Sequence, residues 1–93
     1  MNNINNFIDS TGKIKIWPSK HDYKFQVLKY LSDKFEYNRF YSEKEVNNII
    51  ESYHTFSDYF LLRRELIVGK FLSRTRDGAK YWRPDDTVTE DKV

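Results

Sequence analysis

Cysteine is absent from this 93-residue chain, and glycine and proline occur only three times and twice. Without cysteine the chain has no disulfide framework and no thiolate metal site. The glycines lie far apart, so they form no glycine-rich phosphate-binding loop. No apolar run approaches the roughly 18 residues of a membrane span, and the first residues lack the basic start and apolar run of a signal peptide. We therefore expect a soluble, cytoplasmic protein with no membrane contact.

Catalytic constellations are missing as well. The two histidines, His21 and His54, have no second histidine or carboxylate at a convincing metal-binding spacing. We interpret His21 as a solvated residue at a helix start and His54 as a turn residue. Because catalysis needs a positioned acid, base, nucleophile or metal, we expect no enzymatic activity, no metal and no cofactor.

What the chain does have is aromatic rings, at 17% of residues, and basic charge in two zones. Lys and Arg outnumber acids by seven to three in residues 13–40 and again in residues 58–83, although the net charge is only +2. Two basic zones could form a face for an anionic partner. The alternative is an ordinary solvated surface.

The first part of the chain predicts a short strand or hairpin and then a helix. A turn at residues 9–12 precedes residues 13–17, which alternate polar and apolar as a half-buried strand does. Ser19 as N-cap with Asp22 three residues on predicts a capping box, and we place helix 1 at about 20–36. Its buried face is expected to consist of Val27, Leu28, Leu31 and Phe35.

Helix 2 carries the clearest amphipathic pattern in the chain. Ser42 and Glu45 form a second capping box, which predicts a helix over about 43–53. The apolar positions follow the helical spacing i, i+3, i+4 and i+7. These positions are Val46, Ile49, Ile50 and Tyr53.

Helix 3 is predicted over about 58–68. Ser57 or Thr55 can cap its start, and Gly69 is a natural C-cap because glycine tolerates the left-handed conformation that ends a helix. The buried stripe is predicted to comprise Tyr59, Leu62 and Leu66.

Asp77-Gly78 favours a type I′ turn, which would pair residues 71–76 with 79–82 in a hairpin. The order of helix, turn, helix and basic hairpin is that of a small winged helix-turn-helix, an α+β fold. We expect this domain over residues 7–83. It lies between a flexible N-terminus at 1–6 and an acidic disordered tail at 84–93.

The basic residues of the hairpin and helix 3 are the candidates for nucleic-acid contacts. The hairpin cluster is Arg74, Arg76, Lys80 and Arg83, although charge on an edge hairpin can equally serve to resist aggregation. On the helical wheel Arg64 points outward and is the better base reader. Arg63 lies at the margin of the buried stripe, where we expect it to pair with an acid on helix 2 or with a carbonyl. The candidate nucleic-acid-binding set is Ser57, Arg64, Arg74, Arg76 and Lys80.

The same wheel places Phe60, Leu61 and Val68 on the exposed side of helix 3. An exposed apolar strip is more typical of a protein partner or a dimer contact than of a DNA-reading surface. The alternative is that the stripe is rotated and some of these residues belong to the core.

Several stretches of the sequence together resemble a known bacterial family. They read DSTGKIKIWPSK, VLKYLSDKF, YSEKEVN from Tyr41 to Asn47, LRREL from Leu62 to Leu66, and a loose match from Arg74 to Trp82. Over about residues 7–83 the chain is similar to the bacterial domain of unknown function family 2087. The resemblance implies a winged-helix-like fold and offers no catalytic residues. Because members occur alone or fused to helix-turn-helix regulators, it also implies a transcription-related role.

Two hypotheses follow. The first is a DNA-binding winged helix, a small transcriptional regulator whose partner is double-stranded DNA. The alternative is a winged helix used as a protein-interaction or dimerisation module, with a second copy or another protein as its partner. Fold alone does not decide between them.

Overall fold

A computed structural model describes residues 4–84 of the chain; residues 1–3 of the predicted flexible start and 85–93 of the predicted acidic tail lie outside this part. All three predicted helices are present, and two short strands follow them. The order is compatible with a winged-helix-like topology. The elements are a 3-10 turn at Ile4–Asn6, helices α1 (His21–Ser32), α2 (Glu43–Ser52) and α3 (Tyr59–Val68), and strands β1 (Ser73–Arg74) and β2 (Tyr81–Trp82).

Helix α1 ends four residues before the predicted position 36. After Ser32 the backbone tightens into shorter bonds, with the Lys34 N–H donating to Leu31 O and the Phe35 N–H to Ser32 O, each at 3.0 Å. Such i to i+3 bonds are common where a helix stops. They bring Phe35 into the core although it is no longer helical.

Of the predicted N-caps, only that of α2 is correct. The Glu45 N–H donates to Ser42 Oγ at 3.1 Å, and the Ser42 N–H donates to Glu45 Oε1 at 2.8 Å. The prediction for α1 was wrong, since its N-cap is Lys20 and makes no side-chain cap bond. At α3 the cap is Asp58, whose Oδ1 accepts from the Leu61 N–H at 3.1 Å. A carboxylate at this position is also stabilised by the positive end of the helix dipole.

The end of α3 is a Schellman motif. The Phe71 N–H donates to Leu66 O at 2.9 Å, and the Lys70 N–H donates to Ile67 O at 3.0 Å. The left-handed residue is Lys70, with φ 68°, whereas Gly69 has φ −81°. Gly69 is therefore the C-cap, as predicted, but the strained position that favours glycine falls one residue later.

The hairpin keeps the predicted register and is shorter than predicted. Arg74 lies opposite Tyr81, as a two-residue turn between residues 71–76 and 79–82 requires, but regular pairing is confined to β1 and β2. Beyond them the chain opens into a loop. The predicted alignment of the strands is therefore correct, and their predicted length is too great.

The loop of the hairpin is not a type I′ turn. That turn needs a positive φ at both central residues, and in the described chain Gly78 has φ 75° while Asp77 is not among the positive-φ residues. The Gly78 N–H donates to Thr75 O at 3.0 Å, and the Thr75 N–H donates to Lys80 O at 2.9 Å. The wider loop is stabilised because Thr75 Oγ1 accepts from the N–H groups of Ala79 and Lys80, each at 3.1 Å.

Within the predicted strand 13–17, Ile14 is the paired residue. It bridges to Ile8, and its N–H donates to Tyr53 O at 2.7 Å while its C=O accepts from Thr55 at 3.0 Å. Ile14 therefore joins the N-terminal turn to the connection between α2 and α3. The inward alternation does not continue, because Ile16 is exposed.

One hydrophobic core lies between the three helices and the hairpin. It contains the whole predicted buried face of helix 1 and two residues from each predicted stripe of α2 and α3. The other members of those stripes, Ile49, Tyr53 and Tyr59, pack against the core while partly exposed. The buried apolar residues are Ile14, Val27, Leu28, Leu31, Phe35, Tyr41, Val46, Ile50, Leu62, Leu66, Leu72 and Tyr81.

Candidate nucleic-acid interface

The two adjacent arginines of α3 have different environments. Arg63 Nη1 donates to Asn47 Oδ1 at 2.6 Å and lies 3.4 Å from Glu43 Oε2, and its side chain is 13% exposed. The prediction that Arg63 pairs with an acid on helix 2 is confirmed. Arg64 is 57% exposed and lies 3.9 Å from Glu65, its partner among the described ion pairs. Arg64 is thus the cation that α3 offers to solvent.

A groove of about 470 Å³ separates α3 from the hairpin. Arg64 lines it from α3, and Arg74 lines it from β1. Phe60 and Val68 contribute apolar surface from the helix, and Tyr81 contributes from β2. The α3–hairpin groove therefore joins one candidate residue from each of the two predicted contact elements.

Glu43 is the acid of this groove, and its charge is balanced by its neighbours. One carboxylate oxygen lies 3.4 Å from Arg63 Nη1, and the other accepts a long hydrogen bond of 3.5 Å from the Tyr81 hydroxyl. An unpaired carboxylate here would repel a phosphate. The pairing leaves Arg64 and Arg74 to set the sign of the groove.

The tip of the hairpin carries two more of the predicted residues, Arg76 and Lys80, both exposed. Asp77 lies between them. The backbone N–H of Ala79 and the Thr75 hydroxyl donate to its carboxylate, and these bonds hold the pKa of Asp77 below its ordinary value. The tip is therefore basic, with one fixed negative charge that orders the loop.

The predicted set does not lie on a single surface. Side chains alternate between the faces of a strand, so Lys80 projects from the face of the hairpin opposite to Tyr81 and is absent from the groove lining. Ser57 is exposed in the connection before α3, with φ 56°, and is also outside the groove lining.

Arg83 does not join the exposed cluster of the hairpin. Its Nη2 donates to Asp33 Oδ1 at 2.7 Å, its Nη1 donates to Phe35 O at 3.1 Å, and its guanidinium lies 4.1 Å from the Tyr37 ring centre. Partial burial raises the pKa of Asp33, but hydrogen bonds from Lys29 and Arg83 outweigh that effect and lower it. The expectation for Arg83 was wrong because its acid partner is 50 positions away in the sequence.

Lys70 is an exposed cation that the sequence reasoning did not include. It occupies the left-handed position after α3, so its side chain projects from the connection to β1. The sequence feature that could have identified Lys70 is a lysine directly after the glycine that ends a helix.

The predicted apolar strip of α3 is partly exposed. Phe60 is 56% exposed and Val68 is 68% exposed, whereas Leu61 is half-buried. Because Phe60 and Val68 also line the α3–hairpin groove, its surface is mixed, with the exposed cations Arg64 and Arg74 set among apolar side chains.

The two histidines lie at or near helix ends. His21 is exposed at the first position of α1, as predicted. His54 is buried, its Nδ1 lies 2.8 Å from Ile50 O, and its Nε2 accepts from the Asp58 N–H at 2.9 Å. It therefore connects the end of α2 to the cap of α3. Within residues 4–84 no three metal-ligating side chains come together.

The fold and this groove define a small α+β protein of three helices with a basic C-terminal hairpin. The chain belongs to the family described as "Uncharacterized protein conserved in bacteria (DUF2087)", which matches residues 13–83. No curated protein and no solved structure matches the chain significantly. None of the helices in the described part of the chain combines the length and apolarity needed to cross a membrane.

Proposed function

We propose that the protein is a non-catalytic, DNA-binding regulator that contacts double-stranded DNA through the α3–hairpin groove and the hairpin tip. The supporting observation is how the seven cations of residues 58–83 are sorted. Arg63 and Arg83 are largely buried and paired with acids. The remaining five are exposed, and they are Arg64, Lys70, Arg74, Arg76 and Lys80.

The arrangement suits a duplex because Arg64 and Arg74 come from two elements that border one groove. Phosphate contacts from separate elements fix the position of a protein on DNA, and arginine can also reach guanine edges. Arg64, on the helix, would contact base edges. Arg74 and Arg76, on the hairpin, would bind the phosphate backbone of the DNA. The protein would act in the cytoplasm, where a bacterial chromosome lies.

Salt dependence is the first test. In fluorescence anisotropy with a mixed-sequence labelled duplex, affinity should fall steeply as salt rises. The double variant Arg64→Gln/Arg74→Gln should bind more weakly, and it should lower the log–log salt slope by about one because it removes the phosphate contact of Arg74. Absence of binding at low salt would refute the proposal.

Lys15→Gln/Lys20→Gln is the matched control. It removes the same total charge from exposed positions outside α3 and the hairpin. A uniform charge effect would weaken both double variants equally, and that outcome would remove the groove from the proposal. A loss confined to the Arg64/Arg74 variant would support it.

A second candidate is a protein-interaction or dimerisation module, favoured by the exposure of Phe60 and Val68. Under this reading the apolar part of the groove packs against another chain. Sedimentation velocity over a range of concentrations should then show a dimer that Phe60→Ser/Val68→Ser dissolves. The control Ile16→Ser changes an exposed apolar residue elsewhere. A strict monomer at all concentrations would exclude the dimer.

A further inference from the structure

The hairpin has an outer face that the α3–hairpin groove does not use. The N–H and C=O of Tyr41 pair with Tyr81, both bonds being 2.8 Å long. In this antiparallel register Phe40 lies opposite Trp82, and the two rings meet edge to face with centres 5.8 Å apart. Lys80 Nζ lies 4.9 Å from the centre of the Phe40 ring. We refer to Phe40, Lys80 and Trp82 as the outer platform.

The outer platform leaves its central ring open to solvent. Phe40 is 61% exposed and Trp82 is half-buried. Cross-strand packing holds both rings in place. Exposed rings beside a cation form the combination with which proteins bind single-stranded nucleic acid, because bases stack on rings and the cation meets the phosphate.

We propose that the outer platform binds an unpaired nucleotide, with its base on Phe40 and its phosphate near Lys80. An exposed cation–π contact is weaker than stacking of a base on an aromatic ring. A base can therefore replace the Lys80 ammonium on the ring face. The lysine stem is flexible, so the displaced ammonium can turn to the phosphate.

This inference rests on the proposed function and deepens it by naming the nucleic acid. The groove carries Arg64 and Arg74, whereas the outer platform lies on the other face of the same hairpin. Together they would suit a duplex that continues into unpaired nucleotides. The groove and the outer platform share no residue, and only Lys80 belongs to both the platform and the hairpin tip. Variants of Phe40 and variants of Arg64 and Arg74 can therefore separate the two surfaces.

The test uses Trp82 as its own reporter. The chain has two tryptophans, so Trp17→Phe leaves Trp82 alone, and circular dichroism verifies the fold of this background. Oligo-dT of about 12 nucleotides, within the site size of single-strand binders, is the probe. We expect it to quench Trp82 emission. Phe40→Ala should weaken oligo-dT binding about tenfold. Lys80→Gln should lower the salt slope by about one.

Phe25→Ala is the matched control, since Phe25 is 55% exposed and lies on α1. It should leave oligo-dT affinity unchanged. If Phe40→Ala fails to fold, Phe40→Leu retains apolar bulk without a stacking ring. Unchanged affinity in the folded Phe40 variant, or binding without quenching of Trp82, would overturn the proposal.

Two further outcomes separate the possible ligands and the two surfaces. Equal quenching by poly-glutamate would assign the platform to an acidic peptide and overturn the nucleotide. Loss of duplex binding in Arg64→Gln/Arg74→Gln with no oligo-dT binding to any variant would leave the proposed function intact and remove the platform. Oligo-dT binding that depends on Phe40, without any duplex binding, would support the platform and refute the proposed duplex contact.

Discussion

Arg63 Nη1 donates a hydrogen bond of 2.6 Å to Asn47 Oδ1, which fastens α3 to α2 beneath the candidate groove. The neighbouring Arg64 has no comparable contact among the described residues, apart from its 3.9 Å approach to Glu65. Two adjacent residues of the same type therefore have different surroundings. Arg63 holds the helix in place, and Arg64 is exposed to solvent.

Replacing Arg63 should accordingly destabilise the fold. Arg63→Ala removes a charge-assisted bond and leaves Asn47 without its donor, so the free energy of unfolding should fall by about 1.5–3 kcal/mol. Arg64→Ala, as the control, should stay within about 0.5 kcal/mol of wild type, as surface substitutions usually do. Urea unfolding followed by circular dichroism measures both. Equal effects of the two substitutions would contradict the division of roles.

The parts of the fold that the sequence predicted are those determined by neighbours along the chain. Helical spacing identified the buried face of α1, and the reciprocal pair Ser42 and Glu45 identified the start of α2. Both depend on contacts within one or two helical turns. The same is true of Arg63, since its placement at the edge of the α3 stripe followed from the helical wheel.

The parts that could not be predicted depend on distant contacts or on competing local options. Arg83 turns inward because Asp33 and the Phe35 carbonyl lie beside it only in the folded chain. Asp58 replaces Ser57 as the cap of α3 once His54 binds its N–H. Lys80 was grouped with the other cations because the sequence did not show that Phe40 would pack on its face of the hairpin.

Lys70→Gly should stabilise the protein. Lys70 holds φ 68° at the position after α3 that glycine occupies without steric cost. Relief of this strain exceeds the added entropy of the unfolded chain, so we expect a gain of about 0.5–1 kcal/mol. Lys70→Ala also removes the long side chain but does not give the backbone the conformational freedom of glycine. It should therefore give no gain in stability. The prediction fails if glycine and alanine give the same midpoint of urea unfolding.

His54→Ala should be strongly destabilising. The buried ring bonds Ile50 O and the Asp58 N–H at once, and Ile50 O also accepts from the Tyr53 N–H. Removal of the ring therefore leaves the Asp58 N–H without its partner and opens a cavity. Each unsatisfied buried group costs about 1–3 kcal/mol, and we expect a total near 3 kcal/mol. His21→Ala, at an exposed helix start, should have little effect. Thermal or urea unfolding of the two variants compares them, and a His54 variant as stable as the His21 variant would refute this role.

The stability contributed by Asp33 should depend on pH. Hydrogen bonds from Lys29 and Arg83 outweigh partial burial and lower the pKa of Asp33 in the folded state. A lowered folded pKa means that the contribution is complete above the unfolded value of about 3.9 and is lost as pH falls through the folded pKa. Asp33 is half exposed, so solvent screening limits its pair with Arg83 to about 0.5–1 kcal/mol near pH 7.

A double-mutant cycle of Asp33→Asn and Arg83→Met, followed by urea unfolding between neutral and acidic pH, isolates this pair from the other carboxylates. The coupling energy should be present near neutrality and should vanish in acid, where Asp33 is protonated. A coupling near zero over this whole range would mean that Arg83 is held by the Phe35 carbonyl and by Tyr37 rather than by the charge of Asp33. In that case the loss of stability in Arg83→Met would also be the same at every pH, because packing and a neutral acceptor do not titrate.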